Sequence, residues 1–161
     1  MMLLLFKINN ERYGLDVADV VELVPYVKLQ NLPKAPVYIA GLMNYRGNIV
    51  PVVDLAMLMC DRPVRRLMSS RIIIIRSAKS EKRYVGLLAE NVTETIKISP
   101  ETFTDTGIDP DASAFVDKVA MRPEGMIHLV NITKLLPSEV GSMLYNQMED
   151  IAAEKENSDV I

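Results

Sequence analysis

The sequence predicts a mainly all-β protein built from two copies of one small strand-rich unit, with short helical turns and a C-terminal helix. Three observations predict it. Short runs of Val, Ile, Leu and Tyr recur between turn residues, the pattern of a barrel or sandwich. The two halves also resemble each other. Arg12-Tyr13-Gly14-Leu15 matches Arg83-Tyr84-Val85-Gly86-Leu87 with one insertion, and Val20, Glu22 and Val24 match Val92, Glu94 and Ile96. Leu3–Phe6 corresponds to Ile72–Ile75, and Val52–Leu55 corresponds loosely to Leu129–Ile132. Finally, a unit of about 65–70 residues has a thin core, so the two copies are expected to pack on each other through a shared apolar seam. Closure of each sheet would remove its exposed edges.

The elements follow in order. Leu3–Ile8 is an apolar run ended by the turn cluster Asn9-Asn10-Glu11. Tyr13, Leu15 and Val17 alternate with Gly14 and Asp16, as in a half-buried strand. Pro36 stands at the first position of an expected helical turn over Val37–Ala40. Leu42–Tyr45 and Ile49–Leu55 read as two strands about a tight turn, Arg46-Gly47-Asn48, which suits positive φ. Asp54 reads as the cap of a short turn over Leu55–Leu58. Arg62–Ser70 is a polar, basic connector. Four β-branched residues in a row, Ile72–Ile75, predict a strand buried on both faces. After a polar turn at Ala78–Lys82 come strands over Tyr84–Ala89 and Glu94–Ile98, then the longest loop, Ser99–Ala114. Phe115–Met121 and Met126–Ile132 form a hairpin about Arg122–Gly125. Beyond Pro137, Val140, Met143, Leu144, Met148 and Ile151 fall at helical spacing, with Ser138 as N-cap.

Composition narrows the function classes. The 161 residues are 49% hydrophobic and 24% charged, ordinary for a globular chain. Net charge is −3, and it is uneven: residues 137–161 hold six acids and one base, leaving the body near neutral. A concentrated basic surface for nucleic acid is not expected. The apolar start, Met1–Phe6, is too short for a signal peptide and no run is long enough to span a membrane, so any membrane association is expected through a partner.

Catalytic constellations are scarce. Cys60 is the only cysteine and His128 the only histidine, which excludes cysteine-rich and two-histidine metal sites. His128 sits in an apolar strand and reads as a strand residue. Cys60 follows Met57-Leu58-Met59 and reads as a small hydrophobe. Asp105, Asp109 and Asp111 with Gly107 lack the spacing of a calcium loop. No metal or cofactor is expected. Arg62, Arg65, Arg66 and Arg71 are the one place a phosphate would bind, though no aromatic residues interleave them. Arg46, between Tyr45 and Gly47, reads equally as a surface arginine or a functional one.

The run from Leu32 to Leu55 then carries a resemblance. Its spaced prolines Pro33 and Pro36, Gly41, Asn44-Tyr45-Arg46-Gly47 and Ile49-Val50-Pro51-Val52-Val53-Asp54-Leu55 resemble the signature of CheW-like domains. The similarity extends through Tyr13–Glu22, Val85–Val92 and Phe115–Leu136, covering nearly all of residues 1–136. One departure is Val130-Asn131, where Leu-Asp is more usual.

The resemblance implies two five-stranded SH3-like barrels packed on each other. Barrel one would span approximately residues 1–65 and barrel two approximately 71–136, with a strand open to exchange between them, followed by an acidic helix and tail over 137–161. It implies a non-catalytic adaptor in chemosensory signal transduction, binding the regulatory domain of a CheA-type histidine kinase and the cytoplasmic tip of chemoreceptors. The receptor tip would lie in the groove between the barrels. Such a protein is cytoplasmic and reaches membrane-associated arrays through its partners, with no nucleic acid and no direct membrane insertion. Asn44, Arg46 and Gly47 match the family's turn, Gly41 its preceding glycine, and Val85, Gly86 and Val92 a region near the receptor groove. The other reading is a small β-barrel module binding nucleic acid or a phosphorylated ligand through the Arg62–Arg71 connector.

Overall fold

The computed structural model describes residues 1–76, 83–107 and 115–135. The expected turn at Ala78–Lys82, the acids Asp109 and Asp111, and the C-terminal helix lie outside the described residues. Strands dominate: β1 (Met2–Ile8), β2 (Glu11–Asp16), β3 (Val20–Pro25), β4 (Ile39–Tyr45), β5 (Asn48–Asp54), β6 (Arg71–Arg76), β7 (Tyr84–Ala89), β8 (Glu94–Lys97), β9 (Phe103–Asp105), β10 (Val116–Arg122) and β11 (Gly125–Val130). Two short helices, α1 (Leu55–Cys60) and α2 (Ile132–Leu135), follow β5 and β11.

The strands form two sheets, ordered β8-β1-β2-β11-β10-β9 and β3-β6-β7-β5-β4. The sheets do not follow the halves of the sequence. Each half lends its first hairpin to the other: β1–β2 joins β8–β11, and β6–β7 joins β3–β5. The expected division near residues 65–71 therefore separates the two repeats but not the two sheets, and two strands from each half are exchanged instead of one. The first sheet also carries a sixth, three-residue strand, β9, inside what the sequence reads as loop. It forms because Phe103, Thr104 and Asp105 find partners in Ala120, Val119 and Lys118.

The repeat reappears as equivalent pairings. Leu3 pairs with Ile96 as Ile72 pairs with Val24. Gly14 lies beside Leu129 in a parallel ladder as Gly86 lies beside Val52. The second sheet closes on itself: just beyond β3, Gln30 and Leu42 exchange backbone hydrogen bonds of 2.8 Å each way. Gly41 permits this closure, since a Cβ there would stand 2.6 Å from the Gln30 carbonyl oxygen, at φ +150°. The helical turn expected over Val37–Ala40 is a single turn, closed by Ile39 N–H donating to Pro36 O at 2.9 Å. Ile39 and Ala40 already belong to β4: Ile39 pairs with Val53, and Ala40 is the extra residue at the register shift before Gly41 pairs with Val52.

The core explains why β1 and β6 are apolar at nearly every position. On β1, Leu3 and Leu5 face a small cluster with Ile98, Ala120 and Ile127 inside the first sheet. Leu4, Phe6 and Ile8 face the other way, into one large cluster that includes Val50, Val52, Val53 and all of Ile72–Ile75. Consecutive members such as Val52 and Val53 point to opposite faces, so that cluster joins the interior of the second sheet to the seam between the sheets. Each such side chain contributes about 1.5–3 kcal/mol on burial, so the seam is a major part of what holds two thin units together.

Candidate partner-binding site

The β4–β5 hairpin shows how local sequence builds a fixed, exposed arginine. Tyr45 pairs with Asn48, leaving a two-residue turn, Arg46-Gly47, with φ of +50° and +83°. This is the mirror-image turn that matches strand twist. Gly47 adopts it freely, whereas a non-glycine residue in this region costs about 1–2 kcal/mol. Neighbouring contacts hold the turn. Asn44 Oδ1 accepts from Gly47 N–H at 2.9 Å. Arg46 Nη2 lies 3.3 Å from Glu22 Oε2, and its guanidinium sits 5.4 Å from the centre of the Tyr45 ring. The Tyr45 hydroxyl donates to the same Glu22 oxygen, and its ring meets Tyr84 edge-on at 5.5 Å. The Glu22 hydrogen bond and burial raise the Tyr45 hydroxyl above the ordinary phenol range, with Arg46 pulling the other way. Despite these contacts the Arg46 side chain remains 74% exposed, so it is oriented and still open to a partner.

Glu22 reaches the tip because of a bulge. The β3–β6 register shifts between Val20 and Glu22, which re-aims the glutamate. The alternate residues Val21 and Leu23 point outward and are 37% and 41% exposed. One edge strand thus presents apolar side chains beside a pinned arginine. Glu22 and Tyr45 were not among the expected site residues. The family similarity through Tyr13–Glu22 was the available signal, but the contact to Tyr45 and Arg46 exists only after folding.

The other expected residues sit elsewhere. Gly41 is buried at the barrel closure. Val85 and Gly86 belong to the core of β7, where a Cβ on Gly86 would stand 2.9 Å from Ile72 Cγ2 and 3.1 Å from Val52 Cγ2. Both lie inside the sheet because β7 is covered on its two faces, where successive residues point to opposite sides. Val92 packs on the large core cluster and donates its N–H to Ser69 O at 3.0 Å. Of the seven, Asn44, Arg46 and Gly47 come together at the surface.

The arginine connector is structural. Glu90 is fully buried and takes hydrogen bonds from the Arg62 guanidinium, from Arg65 N–H at 2.9 Å and from Arg65 Nε at 3.2 Å. Burial alone would raise its carboxyl; the arginine hydrogen bonds outweigh this and hold it below the ordinary carboxylate range. Arg62 also reaches Asn9 at 2.7 Å. Arg66 lies 4.6 Å from the centre of the Tyr26 ring, and Arg71 is spent on the carbonyls of Met68 and Ser70. These four cations already have partners, which disfavours a phosphate or nucleic-acid site.

Asp54 is a cap, as expected, accepting from Met57 N–H and Val64 N–H at 3.0 Å each. Asn131 holds the matching place before α2. His128 lies in β11, its ring 5.2 Å from that of Tyr13 and its Nε2 3.7 Å from Glu11. Among the described residues no cluster of His, Cys, Asp and Glu is arranged to hold a metal, and no helix is long and apolar enough to cross a membrane. A groove of about 730 Å³ opens between the sheets, bounded by the start of β3, the end of β6 and the open end of β10–β11.

A family model for the CheW-like domain matches residues 2–140. This chain belongs to the CheW-like family. The CheW-like chain is 28% identical over 148 residues to the chemotaxis protein CheW of Klebsiella aerogenes, covering 89% of this chain and 86% of that protein. It is 30% identical over 146 residues to CheW of Rhizobium meliloti, covering 85% and 88%. The crystal structure of the scaffolding protein TtCheW from Thermoanaerobacter tengcongensis superimposes with a TM-score of 0.73 at 31% identity, over 84% of this chain and 87% of that one. The expected two-unit β architecture is therefore that of a CheW-like chain.

Proposed function

We propose that this chain is a non-catalytic chemotaxis adaptor that couples chemoreceptors to a CheA-type histidine kinase, working in the cytoplasm and brought to receptor arrays by its partners. Its family membership and its likeness to a scaffolding protein support the adaptor role. The observation that carries the mechanism is the Arg46 turn: a strained, exposed arginine locked by Glu22 and Tyr45 beside the outward Val21 and Leu23. Apolar side chains supply contact area, and a pre-oriented arginine supplies direction at low entropic cost. The kinase regulatory domain docks on this edge, and the receptor tip lies in the groove between the sheets. Because the sheets share one seam and exchange hairpins, a shift imposed at the groove is passed to the kinase edge as a rigid displacement.

Arg46→Ala and Arg46→Glu test this. Both remove one exposed ion pair, worth about 0–1 kcal/mol, so the fold stays intact. Co-sedimentation with a CheA-type kinase and receptor fragments should show at least about tenfold weaker ternary complex, with Arg46→Glu the more severe. Wild-type assembly by both variants removes Arg46 from the mechanism.

A further inference from the structure

One face of the β10–β11 hairpin gathers soft donor atoms that the core does not use. Ala120, Ile127 and Leu129 pack on the small cluster inside the first sheet. Successive residues alternate, so Met121, Met126 and His128 stand on the opposite face. Tyr13, a member of the large cluster on that side, has its ring 5.2 Å from that of His128. Met121 and Met126 are direct cross-strand partners. Their Cβ atoms are therefore about 4.5–5.5 Å apart, close enough for two flexible thioethers to meet on one atom. His128 follows Met126 by two residues, about 7 Å along the same strand. The hairpin's cations, Lys118 and Arg122, belong by the same alternation to the other face.

Methionine ordinarily fills gaps in a core. These two stand outside it, 68% and 42% exposed, so burial is not what they contribute. The imidazole beside them is already oriented. Its Nε2 faces Glu11 Oε2 at 3.7 Å, and its Nδ1 has no hydrogen-bond partner among the described residues. The Tyr13 hydroxyl donates to the same Glu11 oxygen at 3.4 Å and holds it in place. A shift of about 0.5 Å brings that carboxylate within hydrogen-bond reach of Nε2. A carboxylate that takes the proton of one ring nitrogen fixes the other as a metal ligand. Thioethers select Cu(I) over hard divalent cations, and imidazole binds copper as well. We propose that Met121, Met126 and His128 form a three-donor site for a soft monovalent cation, Cu(I), with Glu11 as its positioning residue. The bound ion bridges β10 and β11 near their turn. It therefore stabilises the folded hairpin in proportion to its occupancy.

The test uses the full chain with Cys60→Ala, which removes a competing thiol. Cu(I) is supplied as its coloured bicinchoninate complex under anaerobic, reducing conditions. The protein should withdraw one equivalent of Cu(I) and should take up no Zn(II) supplied alone. Met121→Leu with Met126→Leu preserves side-chain volume on an exposed tip, so the fold is retained, and should lose that equivalent. Met68→Leu, at a methionine 97% exposed on the connector, should keep it. Glu11→Gln should weaken the affinity by about tenfold or more, which a purely structural glutamate would not do. With Ag(I), the redox-inert analogue, the methyl resonances of Met121 and Met126 and the ring protons of His128 should shift together. No withdrawal of Cu(I), or equal withdrawal by the double leucine variant, overturns the proposal. Equal uptake of Zn(II) overturns the assignment to a soft ion. Shifted methionines with an unmoved His128 ring overturn the three-donor site, and unchanged affinity in Glu11→Gln overturns the positioning role.

Discussion

Gly86→Ala separates a packing role from a contact role at a position where sequence resemblance pointed to partner binding. The added methyl would sit 2.9 Å from Ile72 Cγ2 and 3.1 Å from Val52 Cγ2, inside the ordinary carbon–carbon separation of about 3.5–4.0 Å. Both neighbours are fully buried on the strands flanking β7, so neither has free space to enter. Overpacking of this kind costs about 1–3 kcal/mol. The lower entropy of the unfolded alanine chain offsets about 0.4–1 kcal/mol of it. The net expectation is a loss of about 1–2 kcal/mol, or about 2–8 °C in Tm for a chain of this size. Urea titration of the variant measures the loss. Ile72→Ala alone should cost about 2–5 kcal/mol, but about 1 kcal/mol less in the Gly86→Ala background, where the new methyl fills part of the cavity. A stable Gly86→Ala, or strictly additive losses, would refute the steric reasoning. Lost kinase or receptor binding with stability unchanged would make Gly86 a contact residue after all.

Other perturbations probe the remaining links. Glu90→Gln should destabilise by about 2–3 kcal/mol, because two arginines lose a charged acceptor while remaining partly exposed. Since Glu90 titrates lower in the folded state, its contribution is present above the unfolded carboxylate range and disappears as pH falls through the folded value; the variant's stability should vary less with pH there, read by urea titrations from pH 6 downward. Tyr13 is raised to about 12, first by burial and then by Glu11 and Cys60. The unfolded phenol loses its proton first, so stability should fall between about pH 10 and 12, and Tyr13→Phe should lessen that fall, leaving the part due to Tyr38 and Tyr45, which are raised as well. Asp54→Ala removes a side chain that caps α1 and also binds Val64 N–H, and should cost about 1–2 kcal/mol by urea titration. Glu22→Gln should leave stability within about 1 kcal/mol yet weaken kinase binding, since it releases both Arg46 and Tyr45.

Local chemistry made much of this fold readable. The four isoleucines of β6 announced a strand with two buried faces, and Asp54 announced the turn that it caps. The repeat was legible because paired positions, Leu3 with Ile96 and Ile72 with Val24, face the same packing demands. β3 was not read as a strand. Its outward Val21 and Leu23 and its inward Val20 and Val24 blur the period-2 signal, and the bulge breaks it further. The hairpin exchange was also hidden, since alternation tells which face a residue presents but not which strand it will join. At the candidate site the Asn44–Gly47 turn was visible because a tight turn constrains residue types. Its brace, Glu22, was not, because that carboxylate approaches only through tertiary structure. The burial of Val85 and Gly86 likewise depends on both faces of β7 being covered in the folded molecule.

The hairpin exchange has a price during synthesis. The first strand leaves the ribosome roughly 90 residues before Ile96, its partner in β8, and β2 waits roughly 115 residues for Leu129. At about 5–20 residues per second, the edge of Leu3–Phe6 that β8 covers stays open for roughly 5–19 s, with only β2 on the other edge. Neither half of the chain can complete a sheet alone, so a nascent or truncated product is sticky in a way the finished molecule is not. Two severed halves, supplied together, have every strand needed to rebuild both sheets by finding each other.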